Sequence, residues 1–111
     1  MRYAIPLAAG KLALHFGHCQ EFAFVDTNED GEITATSRAV PPAHEPGALP
    51  KWLAENNANV IIASGMGTRA QMLFEQNGIH VVIGAPVDDA VALVRSYIDG
   101  TLETGANICS E

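Results

Sequence analysis

Cysteine, basic side chains and long apolar runs are all scarce in this chain. Only Cys19 and Cys109 carry sulfhydryls, too few for a disulfide framework, so both are better read as free thiols or ligands in a reducing compartment. Six Lys and Arg against thirteen Asp and Glu leave a net charge of −7, which argues against DNA or RNA, since affinity for nucleic acid comes largely from neutralising phosphates with cations. The one apolar stretch near the N-terminus, Tyr3 to Ala9, is too short for a signal-peptide core or a bilayer span. A cytoplasmic protein is expected. The chain also lacks low-complexity segments, and its 111 residues, 48% of them hydrophobic, suffice for one globular domain (residues 1–100, with 101–111 as a tail) and not for two.

What is present in concentration is metal-ligand chemistry. His15-Phe16-Gly17-His18-Cys19 packs three soft or borderline donors into five positions. Imidazole and thiolate favour zinc, copper and iron-sulfur species, whereas the carboxylates that dominate the chain's charge favour calcium or magnesium. The competing reading takes Phe16 as core, Gly17 as a turn and the rest as incidental.

Patterning places this pentapeptide in a loop. Tyr3–Ala8 reads as a strand, residues 9–20 as a Gly- and His-containing loop, and Glu21–Asp26 with Glu32–Val40 as a hairpin around Asn28-Glu29-Asp30-Gly31. Val60–Ala63 and Ile79–Ile83 are the continuous apolar runs of parallel strands covered on both faces. Three helices follow from three- and four-residue spacing: Leu49, Trp52 and Leu53; Ala70, Leu73 and Phe74; Val91, Val94, Tyr97 and Ile98. Asn77-Gly78 and Asp99-Gly100 supply stops, and Asp88-Asp89 acidify the start of the third helix. The order βββαβαβα with right-handed crossovers predicts an α/β fold, a five-stranded mixed sheet of order 3-2-1-4-5 with strand 2 antiparallel. Pro6 falls inside the central strand, where a proline removes a ladder hydrogen bond, so a bulge or strand end is expected there.

In that order the chain reverses direction across the sheet between strands 1 and 4, and open α/β sheets bind ligands in the crevice so made. Four segments end at this rim: the 9–20 loop, Ser64-Gly65-Met66-Gly67, Gly84-Ala85-Pro86, and Pro41 to Gly47, which brings His44 toward His15, His18 and Cys19. Cys109 can reach the rim but need not. Residues Gly65, Met66, Gly67, Thr68 and Arg69 close a strand and open a helix, whose free N–H groups together with the Arg69 charge suit an anion. The literal G-x-G-x-x-A pattern lacks an acidic ribose-binding residue after the next strand, so a dinucleotide site is weakly indicated, and tight packing alone accounts for the glycines equally well.

His15-Phe16-Gly17-His18-Cys19 before Phe22, Pro41-Pro42-x-His44-x-Pro46-Gly47, and Gly65-Met66-Gly67-x-Arg69-Ala70-x-x-Leu73 together resemble the dinitrogenase iron-molybdenum cofactor biosynthesis family, over Met1 to Cys109. The resemblance implies a ribonuclease H-like fold and a small non-enzymatic protein that binds, carries or helps insert iron-sulfur or molybdenum-containing clusters for a client or scaffold metalloprotein. It implies that His15, His18 and Cys19 lie in the ligand-bearing loop and that Gly65 to Arg69 form the anion-facing turn. His18 stands where relatives carry Arg, and the chain ends Cys109-Ser110-Glu111 where close relatives end Cys-Asp-His.

Three other readings compete. A nuclease needs clustered carboxylates for two magnesium ions, and strand 1 supplies none. A nucleotide- or phosphate-binding protein using the Gly65–Gly67 turn is the alternative; Cys19 beside His18 is a weak nucleophile candidate. An interaction module, with an exposed third strand able to pair in a homodimer, is the third.

Overall fold

In the computed structural model, residues 1–42 and 47–105 are described, together with the backbone but not the side chain of His18. Six strands form one sheet: β1 Arg2–Ala8, β2 Lys11–Leu12, β3 Glu21–Thr27, β4 Ile33–Ala39, β5 Val60–Ile62 and β6 His80–Val82. Five lie in the order β4-β3-β1-β5-β6, with β3 antiparallel and β5 and β6 parallel to β1. The five expected strands and their order are therefore present, and the expected count is corrected to six by β2, which pairs antiparallel with the end of β1. It is joined to β1 by a two-residue turn with Ala9 at φ 54° and Gly10 at φ 83°, the left-handed pair that closes tight hairpins. Asn-Gly or Asp-Gly would have announced such a turn; Ala9-Gly10 does not.

The second correction concerns Pro6. No bulge forms, because β1 runs through Pro6 to Leu7 in register with β3 and continues to Ala8. The Leu7 carbonyl accepts from Gln20 N–H at 2.7 Å on the β3 side, so by alternation Pro6 turns its peptide groups to the opposite side. There the ladder with β5 has already ended at Ala4↔Ile61. The missing N–H thus ends that ladder rather than leaving a gap within it, and the Pro6 carbonyl is taken by Ala13 N–H at 2.9 Å.

Three helices cover the sheet: α1 Ala48–Glu55, α2 Thr68–Gln76 and α3 Ala90–Asp99. Phe22, Phe24, Ile61, Leu53 and Phe74 bury one face with Trp52 against them, and Phe22 and Phe24 meet the Trp52 ring edge-on or tilted at 5.7 and 5.8 Å. Tyr3, Ile5, Val25, Ile62, Leu93 and Val94 bury the other, beneath α3. β1 is covered on both faces, as a central strand must be, whereas Thr34 to Arg38 of β4 are all exposed.

Both α1 and α2 end on an asparagine whose amide donates to the carbonyl four residues back, Asn56 to Trp52 and Asn77 to Leu73, each at 2.8 Å. The next residues, Asn57 and Gly78, are left-handed at φ 64° and 76°. Ala58 and Ile79 N–H then return to Leu53 and Phe74 carbonyls at 3.0 Å, completing the two-bond stop that satisfies the last helix carbonyls. These stops aim the chain into β5 and β6.

Arg2 ties β1 to β3 and α1. Its guanidinium donates to both Asp26 oxygens at 2.7 and 3.1 Å and to the Asn56 carbonyl at 2.9 Å, and lies 5.3 Å over the Phe24 ring. The Arg2 hydrogen bonds hold the Asp26 carboxyl below its ordinary 3.8. A carboxyl with a depressed folded-state pKa stabilises the fold above its unfolded value and loses that contribution as pH falls through the folded value. Wild type should thus exceed Asp26→Ala by about 1–2 kcal/mol near neutrality, and urea titrations from pH 7 down through 3.8 should show the difference shrinking; a pH-independent gap would contradict the pairing.

Candidate functional site

β1, β5 and β6 all present their carboxyl ends at one rim, and the departure of β1 from β5 beyond Ala4 opens a gap between them. The 13–19 segment folds into it. Gly65 N–H donates to the Leu14 carbonyl and Phe16 N–H to the Gly65 carbonyl, both at 2.9 Å, which leaves His15 bridged directly to Gly65. Residues fifty apart in the sequence are thereby joined by two backbone bonds, and the expectation that the His-containing loop meets the glycine turn holds for His15.

Phe16 fixes this loop from below. Its ring stands edge-on to Phe22 at 6.3 Å and to Phe74 of α2 at 5.4 Å, and Phe16–His18 form one 3₁₀ turn closed by Cys19 N–H on the Phe16 carbonyl at 3.3 Å. Because the ring points into the core, its neighbours His15 and Gly17 are turned outward and exposed. The His15 side chain borders a hollow of about 350 Å³ whose wall is apolar: Ala8, Leu12, Ala13, Leu14 and Val87.

Cys19 is placed differently. It is 8% exposed and packs in the core cluster that includes Ala13, Phe22 and Met66. Burial pushes its thiol above the ordinary value, because desolvation disfavours the thiolate. Cys19 in this conformation is a protonated core sulfhydryl. His44 and Cys109 lie outside the described residues, as does the side chain of His18. Among the described residues no three His, Cys, Asp or Glu side chains are grouped to hold a metal ion.

The glycine turn is built from backbone. Ser64 accepts from Gly84 N–H at 2.8 Å; Met66 sends its side chain into the core at 1% exposure, while its carbonyl accepts from the Gln71 amide at 2.9 Å. Gly67 opens α2 at φ −66°, ψ 155°, with no side-chain cap on the helix. Such a start leaves amide N–H groups without intrahelical acceptors, here beside exposed Thr68 and Arg69. Of the five expected anion-facing residues, Gly65 is committed to the loop and Met66 contributes only backbone. Gly67, Thr68 and Arg69 remain at the surface.

One rim contact was invisible in the pattern of the sequence. Gly105 N–H donates to the Gly84 carbonyl at 2.7 Å, and Gly84 is left-handed at φ 79° with so little room that a Cβ would overlap the Gly105 carbonyl. The segment after α3 therefore climbs back to the rim, with Leu102 packed on the α3 face of the core.

The family model for the dinitrogenase iron-molybdenum cofactor family matches residues 1–100. The chain belongs to that family. An uncharacterised protein of Methanocaldococcus jannaschii is 31% identical over 110 residues, 93% of this chain and 90% of that one. The crystal structure of PH0822 superposes with a TM-score of 0.87 at 29% identity, covering 96% of both chains. The apo orange protein of Desulfovibrio gigas shares the fold at a TM-score of 0.74 and 22% identity, over 96% of this chain and 93% of that one.

Gly84→Ala should force the tail off the rim, since both the left-handed backbone and the occupied Cβ position oppose a side chain. Expected is a loss of about 1–3 kcal/mol in thermal unfolding with faster proteolytic cleavage around residues 101–105. Unchanged protection would show that the Gly84 to Gly105 contact does not hold the tail.

Proposed function

We propose that this protein binds and passes on an anionic metal-sulfur cluster, of iron-sulfur or iron-molybdenum type, at the rim between β1 and β5, and that it does so as a cytoplasmic carrier for a client or scaffold metalloprotein rather than as an enzyme. The observation that carries the reading is the backbone bridge between His15 and Gly65, which fastens the His-containing loop to the glycine turn that leads into the uncapped start of α2. A ribonuclease H-like classification of the fold belongs to the same reading. Membership of the family supports it.

The chemistry follows from the residue types. Imidazole nitrogen of His15, and of His18 and His44 where they reach the rim, can bond directly to iron or molybdenum. The amides of Gly67, Thr68 and Arg69 and the Arg69 guanidinium would offset the negative charge of sulfide and oxo groups. The apolar wall of the hollow limits water around the bound cargo. The overall charge of −7 opposes an anion, but at physiological ionic strength charges beyond about 8 Å are largely screened, so the local cation and amides decide. Few strong protein ligands leave coordination sites open, which suits release to a client.

Cys19 enters this scheme with a proton to lose. Metal bonding requires the thiolate, and burial holds the thiol in its protonated form, so a Cys19 bond has to be drawn out by the metal and becomes easier as pH rises.

Anaerobic reconstitution with iron, molybdate and sulfide, followed by visible absorption and metal analysis, tests the proposal. Wild type should take up a stoichiometric cluster, His15→Ala should bind about tenfold or more weakly, and Arg69→Glu should lose affinity most at low salt. Uptake by wild type should rise across the alkaline range and Cys19→Ser should flatten that rise. No stoichiometric uptake by wild type overturns the function; full uptake by His15→Ala overturns the site.

A further inference from the structure

We propose that the outer edge of β4 is a homodimerisation strand, pairing antiparallel with the same strand of a second copy about a twofold axis at Thr36. This stands independently of the cluster reading. Among the described residues no strand pairs with that edge, and Thr34 to Arg38 are all exposed.

The hydrogen-bond phase fixes the register. Thr27 N–H donates to the Met1 carbonyl at 2.9 Å, so the peptide groups of Thr27, Val25 and Ala23 face β1, and by alternation those of Phe22, Phe24 and Asp26 face β4. Their partners are Ala39, Ser37 and Ala35, which use their own N–H and C=O inward. The groups of Thr34, Thr36 and Arg38 are left pointing outward. Set antiparallel about Thr36, these three positions match a second copy's: Thr36 meets Thr36, and Thr34 meets Arg38, all as hydrogen-bonded pairs, for about six backbone bonds. Moving the axis by one residue, to Ala35 or Ser37, would leave only the Thr34–Thr36 or the Thr36–Arg38 pairs, about four bonds.

Charge selects the same arrangement. The strand lacks charge from Ile33 to Ser37, follows the acidic Glu29, Asp30 and Glu32, and ends in Arg38. Antiparallel pairing brings Arg38 of each copy, which donates to Glu21 of its own sheet at 2.9 Å with its side chain 58% exposed, toward the acidic Glu29, Asp30 and Glu32 end of the other. Parallel pairing would align like charges. Edge strands that stay single are usually short, charged or bulged; β4 has seven residues, and its one irregularity lies opposite Asp26 and Thr27 at the very start. A hollow of about 400 Å³ whose lining includes Ala23, Val25, Thr36, Arg38 and Val91 runs along this edge, so pairing would set the two hollows side by side across the axis.

Sedimentation equilibrium over a concentration series should show a reversible monomer–dimer equilibrium for the wild-type chain. Thr36→Pro removes an outward N–H without touching the β3 ladder, and should be monomeric at every concentration, with the thermal midpoint of the dilute, monomeric wild type. Arg38→Glu should weaken the dimer about tenfold, and the exchanged pair Glu32→Arg with Arg38→Glu should restore it. A wild-type chain that stays monomeric throughout overturns the proposal, as does a dimer that survives Thr36→Pro. Should Thr36→Pro fail to fold, the charge exchange decides: no weakening in Arg38→Glu, or weakening without rescue, overturns it equally.

Discussion

A proline in the central strand sets the plan of the rim. Pro6 has no N–H to give, and its peptide groups face the side on which β5 would otherwise continue to pair. β1 and β5 therefore part company after Ala4, and the space between their ends is filled by chain that hydrogen-bonds where β5 does not: β2 against Leu7 and Ala8, Ala13 onto the Pro6 carbonyl, and residues 14–16 onto Gly65. The crevice expected at a reversal of strand order is in this molecule a lined one, and its lining carries His15.

Anchoring and chemistry are divided between neighbouring residues. Phe16 is held edge-on by Phe22 and Phe74, His15 beside it is exposed over an apolar hollow, and Cys19 three positions on is sunk in the core with a raised pKa. The glycine turn shows the same division: Met66 is core, Gly65 is hinge to the loop, and Gly67 to Arg69 face outward. Two segments that are each half structural and half exposed form the rim of a chain that belongs to the dinitrogenase iron-molybdenum cofactor family.

Much of the fold was legible because its signals are local and redundant. The apolar runs at Val60 and Ile79, the helical spacing around Leu53, Phe74 and Val94, and the glycine stops at 78 and 100 each state an element type, and right-handed connection rules arrange them. β2 escaped because two residues closed by Ala9-Gly10 give neither alternation nor a recognised turn pair. Pro6 was read as a break because sequence shows that a donor is missing, not which side of the strand it would have faced. At the rim, sequence singled out His15 and Cys19 together and treated them alike. Their difference comes from a single 3₁₀ turn, in which Phe16 enters the core and carries Cys19 in after it. The Gly84 to Gly105 contact is long-range backbone packing, for which a single sequence has no marker.

The edge-on seating of Phe16 has an evolutionary consequence. Since the loop is fastened by the Phe16 ring and by main-chain bonds to Gly65, a side chain at the exposed position 17, where a Cβ would meet nothing within 4 Å, leaves that attachment untouched. Lineages can exchange the residue at that position while the scaffold keeps its stability.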